Sequence, residues 1–300
     1  MLQALLFMQR NRHYILMNVQ FSIFDLAAEF PPIKIIDIGA MTVTENPPRP
    51  DSYASLKAHG ATLIGFEPVE TECAKLNATG HAYQCYLPYA IGDGNEHTFY
   101  ETNACMTSSL YEPNTALLEK FQLLSEYIEV TQTYPIRTHR LDDIEETLGG
   151  DYIKIDVQGA ELDVLRGATQ RLNDALVIEV EVEFAPLYKK QPLFSDVDIF
   201  MRSQGFVLHR FHGTMGRTFK PILIESNPCA TLSQILWSNA IYIRNFMTLN
   251  LLTPEQLLKS AVILHELYHS FDLCALILAA YDKSTFSDLG VRYKQRLMQP

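Results

Sequence analysis

Asp156 closes the apolar stretch of the run DYIKIDVQGAELDVLRGA, residues 151–168. The pattern predicts a short strand over Tyr152–Val157, a turn through Gln158-Gly159, and a helix with Leu162, Leu165 and Ala168 on one face. A carboxylate at the carboxyl end of a buried strand faces the crevice in which open α/β sheets bind ligands. There it can take a proton from a hydroxyl nucleophile, a task worth about 10²- to 10⁴-fold in rate. Lys154 lies on the same strand face and can neutralise it. The plainer reading is that Asp156 and Glu161 only favour the positive end of the following helix, for less than about 1 kcal/mol each.

Three earlier strand ends carry a second group. Ile33–Ile38, with four isoleucines in six residues, ends in Asp37-Ile38-Gly39-Ala40. Thr62–Phe66 is closed by Glu67-Pro68, and Ala82–Leu87 leads to Ala90-Ile91-Gly92-Asp93. Gly39 lets the backbone come close to a ligand. Glu67 stands where a carboxylate can take two ribose hydroxyls, and Asp93 where an adenine would lie. This is the nucleoside-binding logic of dinucleotide enzymes and of enzymes using S-adenosylmethionine. The chain has no G-x-G-x-x-G, so no glycine-lined helix start waits for a pyrophosphate. That counts against NAD and leaves S-adenosylmethionine, which carries no phosphate.

Strands and helices alternate three times before residue 93, which predicts a doubly wound, mostly parallel α/β sheet. His97–Glu101 reads as an added strand and Asn114–Tyr127 carries helical periodicity. Residues 103–140 are therefore expected to be an insertion over the carboxyl edge of the sheet, either a lid or a surface excursion. Ala175–Phe184 is a further strand with Glu179, Glu181 and Glu183 on one face. Three carboxylates on an interior strand are costly, so its latter half is expected to leave the sheet toward solvent or a site. A helix over Phe194–Gln204, a strand over Phe206–Phe211, a polar loop over His212–Lys220 and a last strand over Leu236–Arg244 follow. His209, His212 and Glu181 are weaker candidates than Asp156 for the base. Thr253-Pro254-Glu255-Gln256 opens an amphipathic helix or helix pair that packs on the domain or on a partner.

The set DIGA (37–40), GFEP (65–68), AIGD (90–93), Ser108-Ser109-Leu110, RLDD (140–143) and KIDVQGAELDVLRGA (154–168) resembles the FkbM-type methyltransferases over about residues 33–211. The resemblance implies a Rossmann-like, class I methyltransferase fold and S-adenosylmethionine as cofactor. It implies methylation of hydroxyl groups on small metabolites or glycans. By it Asp37, Gly39 and Ala40 line the methionine part of the cofactor. Glu67 holds the ribose, Asp93 the adenine, and Ile91 belongs to the same cofactor set. Asp156 sits beside the sulfonium and the acceptor, with Ser108, Lys154, Glu161 and Glu181 on the acceptor side. Two positions depart from the family pattern. Met41-Thr42-Val43 replaces Asn-x-Gly after DIGA, and Gln158 replaces a glutamate.

His265-Glu266-Leu267-Tyr268-His269 matches H-E-x-x-H, in which two histidines one turn apart bind zinc. It lies beyond the last strand with no evident third ligand, so no metal site is assigned and a zinc hydrolase is a remote alternative. A non-catalytic, methyltransferase-like assembly module is the nearer one.

Three hundred residues, 47% hydrophobic and 20% charged, suffice for one large domain with an appendage. The expected division is an N-terminal extension over 1–30, a methyltransferase domain over 31–247 and a helical tail over 248–300, through which copies could pair. A formal charge of −11 argues against nucleic acid as partner. No apolar run reaches the roughly 18 residues of a membrane span. The five cysteines are odd in number without C-x-x-C spacing, as expected of a reducing, cytoplasmic setting. No signal peptide is read in the first thirty residues, and Met17 is an alternative start.

Overall fold

A seven-stranded sheet sets the order of the molecule's larger part. The computed structural model describes residues 21–40, 51–79 and 83–299. Residues 41–50 and the first sixteen residues, on which two expectations fell, lie outside them. The described chain divides into two compact units, one of residues 33–40, 61–79 and 83–245, the other of 21–32, 51–60 and 246–299.

In the first unit the strands are β1 (Lys34–Ile38), β2 (Thr62–Phe66), β3 (Gln84–Leu87), β4 (Ala90–Ile91), β5 (Glu96–Thr102), β6 (Val130–His139), β7 (Tyr152–Ile155), β8 (Val177–Glu183), β9 (Phe206–Gly216) and β10 (Ile235–Arg244). The main sheet runs β3-β2-β1-β7-β8-β10-β9. Its first five strands are parallel, and β10 is antiparallel to both neighbours. The chain travels one way from β1 through β2 to β3 and the other way from β7 to β8. The β1/β7 boundary is therefore the switch point where such sheets open a crevice.

The two faces of this sheet differ in chemistry. Ile36, Ile38, Ile153, Ile155, Ile178, Val180 and Val182 form one buried cluster with Leu162 and Leu165 of the helix Glu161–Arg166 and with Val197 and Met201 of the helix Phe194–Ser203. Each such side chain contributes about 1.5–3 kcal/mol when fully buried. In-register pairing puts Asp37, Lys154 and Glu179 side by side on the opposite face. Alternation carries Asp156, Glu181 and Glu183 onto that same face.

Four expectations are corrected here. First, β8 does not leave the sheet: β10 pairs with it from Val177 to Glu183, so all three glutamates stay on an interior strand. Second, β9 continues to Gly216, which puts His212 in a strand opposite Asn239 rather than in a loop. Third, the periodicity over 114–127 yields two short turns, Thr115–Leu118 and Leu124–Tyr127. Leu123, at φ +71°, breaks what one helix would have continued. Fourth, residues 90–139 build a second sheet, β4-β6-β5. A satellite core of Leu118, Phe121, Leu124, Ile128, Leu187, Tyr188 and Leu236 accompanies it.

The second unit holds the tail. Three helices form, Pro254–Tyr268, Phe271–Thr285 and Leu289–Leu297, one more than the pair expected. Thr253 and Gln256 make the reciprocal N-terminal cap that their spacing predicts. Among the described residues, no helix is long and apolar enough to cross a membrane.

Candidate functional site

The tips of β1 and β7 meet through backbone. The Asp156 N–H donates to the Ile38 carbonyl at 3.0 Å, and Gly39 turns at φ +85°. A Cβ on Gly39 would stand 1.9 Å from the Asp156 carbonyl oxygen. The close approach that this glycine permits is thus to the neighbouring strand end, in the first instance, and no larger residue fits. The Gly39 and Ala40 N–H groups both donate to the Phe66 carbonyl, at 3.2 and 3.0 Å, which ties the β2 tip to the same point.

Lys154 is the cation of this junction. Its Nζ lies 3.4 Å from Asp156 Oδ2 and 3.9 Å from Asp37 Oδ1. Burial opposes its charge, but the carboxylates of Asp37, Asp156 and Glu179 outweigh that and hold its pKa above the ordinary lysine value.

Gln158, at φ +57°, joins two carboxylates. Its Nε2 donates to Asp156 Oδ1 at 2.9 Å and to Glu181 Oε2 at 2.7 Å. A glutamate here, as in the family pattern, would set a further negative charge where two already meet. The amide instead supplies protons to both. Its carbonyl accepts the Ser109 hydroxyl at 2.6 Å, and Tyr188 reaches its Oε1 at 3.4 Å.

Glu161 caps the turn instead of pointing outward. It is 2% exposed and accepts the Val157 N–H at 2.9 Å and the Gly159 N–H at 3.1 and 3.0 Å. Burial nevertheless pushes its pKa up to about 7, against the pull of those N–H groups. Burial and the surrounding carboxylates also raise Glu181 and Glu183 well above the usual range. One oxygen of Glu161, one of Glu181 and one of Glu183 lie within 4.8 Å of one another.

Of the remaining sequence candidates, Glu67 stands at the β2 tip, 4% exposed. Its Oε1 accepts the Val69 N–H at 2.8 Å, while Oε2 takes no donor from the described residues. Burial raises its pKa. Ile91 is a core side chain, 4% exposed, on β4 of the second sheet. Asp93 follows β4 rather than a strand of the main sheet. Its carboxylate accepts from Asn95 N at 3.0 Å, Asn95 Nδ2 at 2.8 Å, His97 Nε2 at 2.8 Å and Thr138 Oγ1 at 3.2 Å. Burial works against its charge, yet the hydrogen bonds from His97 and Asn95 prevail and hold its pKa far below the ordinary value. Asp93 thus braces this turn, held chiefly by His97 and Asn95. Ser108 accepts the Thr102 N–H at 3.1 Å, and it is Ser109 that reaches the central motif. His209 lies half-buried and His212 exposed on β9, two strands away from β8.

The sequence reading quoted Ser108-Ser109-Leu110 but assigned Ser108 where Ser109 makes the contact, and it missed Tyr188, Gln191 and the full part of Glu183. Glu183 left a signal in the alternating EVEVE of β8. Tyr188 and Gln191 arrive from loops whose path no periodicity fixes.

The H-E-x-x-H motif is built differently from a zinc site. His265 Nδ1 is 2.9 Å from the Tyr293 hydroxyl and Nε2 is 2.8 Å from the Phe21 carbonyl. Glu266 Oε1 accepts from the Ser22 hydroxyl at 2.8 Å and the Ile23 N–H at 2.9 Å. The helix ends at Tyr268, and His269 turns to φ +52°. The two histidines do not share the helical turn that paired zinc ligation needs.

The profile of the methyltransferase FkbM domain matches residues 37–208. The chain belongs to that family. It is an S-adenosylmethionine-dependent methyltransferase with a class I sheet order. No curated protein matches the chain. Among solved structures it is similar to magnesium protoporphyrin IX methyltransferase from Synechocystis PCC 6803, solved with bound S-adenosylmethionine. That match has 10% identity and a TM-score of 0.36, over 74% of this chain and 76% of the other. It is also similar to an S-adenosylmethionine-dependent methyltransferase from Mesorhizobium loti. There the identity is 11% and the TM-score 0.38, over 74% of this chain and 95% of the other.

The strand tips fit this cofactor in one testable respect. Glu67, a buried residue, keeps one carboxylate oxygen without a donor among the described residues at the β2 tip, and such an oxygen suits a hydroxyl donor of a ribose.

Proposed function

We propose that this FkbM-family enzyme methylates a hydroxyl oxygen of a small metabolite or sugar, with Asp156 receiving or orienting the hydroxyl proton. The convergence of Asp37, Lys154 and Asp156 at the β1/β7 switch point carries this reading. When bound, S-adenosylmethionine supplies an electrophilic methyl group on a sulfonium. Displacement there is in line, so the chain's main tasks are to hold the acceptor oxygen at the right distance and to exclude water. Glu67 would accept from the ribose. Asp37, with the Gly39-Ala40 turn behind it, would face the amino-acid end. Lys154 lies beside Asp156, and Gln158 fixes its direction by holding Oδ1. An oriented carboxylate is what a general base for an alcohol requires.

Calorimetry with S-adenosylmethionine and turnover on fractionated metabolite extracts test the reading together. Glu67→Ala is expected to weaken cofactor binding. Asp156→Asn should bind cofactor normally and lose about 10²-fold or more in turnover, as a missing general base does. Full activity of Asp156→Asn on the true acceptor would end its catalytic role.

A further inference from the structure

The three glutamates Glu161, Glu181 and Glu183 are drawn together without a cation of the protein's own. No lysine, arginine or histidine among the described residues pairs with any of them, and Lys154 turns instead to Asp37 and Asp156. The donors that do reach the group come from its outside. Peptide N–H groups of Val157 and Gly159 hold Glu161, and the Gln158 amide holds Glu181.

Glu183 is different. It is 3% exposed, its oxygen faces those of the other two within 4.8 Å, and no other described residue gives its carboxylate a hydrogen bond. A buried carboxylate that no other residue partners is costly for a fold to keep. Nearby, Gln191 is 6% exposed and its Nε2 also lacks an acceptor. That nitrogen stands 3.2 Å from where a Cβ of Gly159 would be, above the peptide that holds Glu161.

We propose that Glu161, Glu181 and Glu183 form a site for one hard divalent cation, of the Mg²⁺, Mn²⁺ or Ca²⁺ class. Such ions take oxygen ligands at about 2.0–2.6 Å, so oxygens around one ion stand no more than about 4–5 Å apart. The observed spacing meets that limit. Three carboxylates and no sulfur or imidazole select a hard ion over zinc or copper. Peptide N–H groups behind Glu161 orient it as outer partners orient metal ligands elsewhere. The open Gln191 amide can donate to a water completing the ion's shell. This site stands apart from the methyl-transfer reading, although Gln158 joins Glu181 to Asp156 and so couples the two.

The test uses the full chain, stripped with chelator and dialysed against Mn²⁺, with bound metal counted per chain. Wild-type protein should take up one equivalent. Glu183→Gln and Glu181→Gln should each weaken uptake by more than about tenfold, since even outer partners of a metal are worth that much. His265→Ala should leave it unchanged. Uptake well below one equivalent at millimolar Mn²⁺ would overturn the site. So would uptake that both Gln variants leave intact, or uptake abolished by His265→Ala alone. Thermal melts of the metal-free variants are to check that each is folded. Activity need not be known, so failure here leaves the methyltransferase reading standing.

Discussion

The tail node around His265-Glu266 and the β8 carboxylates are opposites in how they treat buried charge. Around Glu266, Ser22, Ile23 and Ser55 all donate to one carboxylate, and both nitrogens of His265 have oxygen partners. Around Glu183 no other described residue donates. Yet the motif with the sharper sequence signature is the satisfied one. A short pattern records which side chains share a helix turn, whereas partners from distant segments decide whether those side chains remain available. Saturated polar groups hold a fold together; unsaturated ones in a buried place are kept for something that binds.

The largest effect expected from this contrast is at Glu266. Glu266→Ala leaves three buried or half-buried donors without an acceptor and should cost about 2–4 kcal/mol in denaturant unfolding. A loss under about 0.5 kcal/mol would remove the distinction between the two regions.

The β8 group should respond in the opposite sense. In metal-free protein Glu183→Gln replaces a buried acid, whose charge its surroundings disfavour, without removing a hydrogen bond from another residue, so stability at pH 8 should hold or rise by about 1 kcal/mol. A clear fall in the melting temperature would mean that Glu183 has a partner after all.

The pH dependence has a definite sign. Glu161 has a folded pKa of about 7, above the ordinary 4.5, and Glu181 and Glu183 are also raised. The folded chain therefore binds more protons than the unfolded one between those values. Their contribution is full below the ordinary pKa and is lost as pH rises through the folded value. Melting of metal-free protein from pH 5 to pH 8 should show this fall, smaller in Glu183→Gln. An identical slope in the two proteins would assign the fall to other groups.

The smallest effect belongs to Ser109→Ala, which removes one donor to the Gln158 carbonyl and should cost about 1 kcal/mol. Because Gln158 then loses a tether, the variant sharpens the comparison by loosening only the β8 side.

Much of the scaffold was legible. β2 runs from Thr62 to Phe66, the strand read ahead of Glu67-Pro68, and the Thr253 cap opens its helix where the spacing places it. Asp37, Lys154 and Asp156 meet because in-register parallel strands place like positions side by side, a relation that strand-end reading captures. Other features depend on neighbours that local patterns cannot name. The cost argument for Glu179–Glu183 was sound about energy, yet β10 pairs with the whole of β8 and keeps the glutamates in place. Asn239 and Tyr152 then satisfy Glu179 from adjacent strands. Asp93 looked like a strand end of the main sheet, but the β4 dipeptide pairs with β6 in a separate sheet. Ser109, Tyr188 and Gln191 reach Gln158 and Gly159 from loops, where the path is set by packing and not by period.

Gly39 has no room for a methyl group because the peptide oxygen of Asp156 already fills that space. Two loops far apart in the chain are thereby cast as a single rigid part, so neither can be remodelled alone. An engineer seeking a new acceptor should leave residue 39 as hydrogen and vary position 158, where the side chain, not the main chain, sets the direction of the carboxylate.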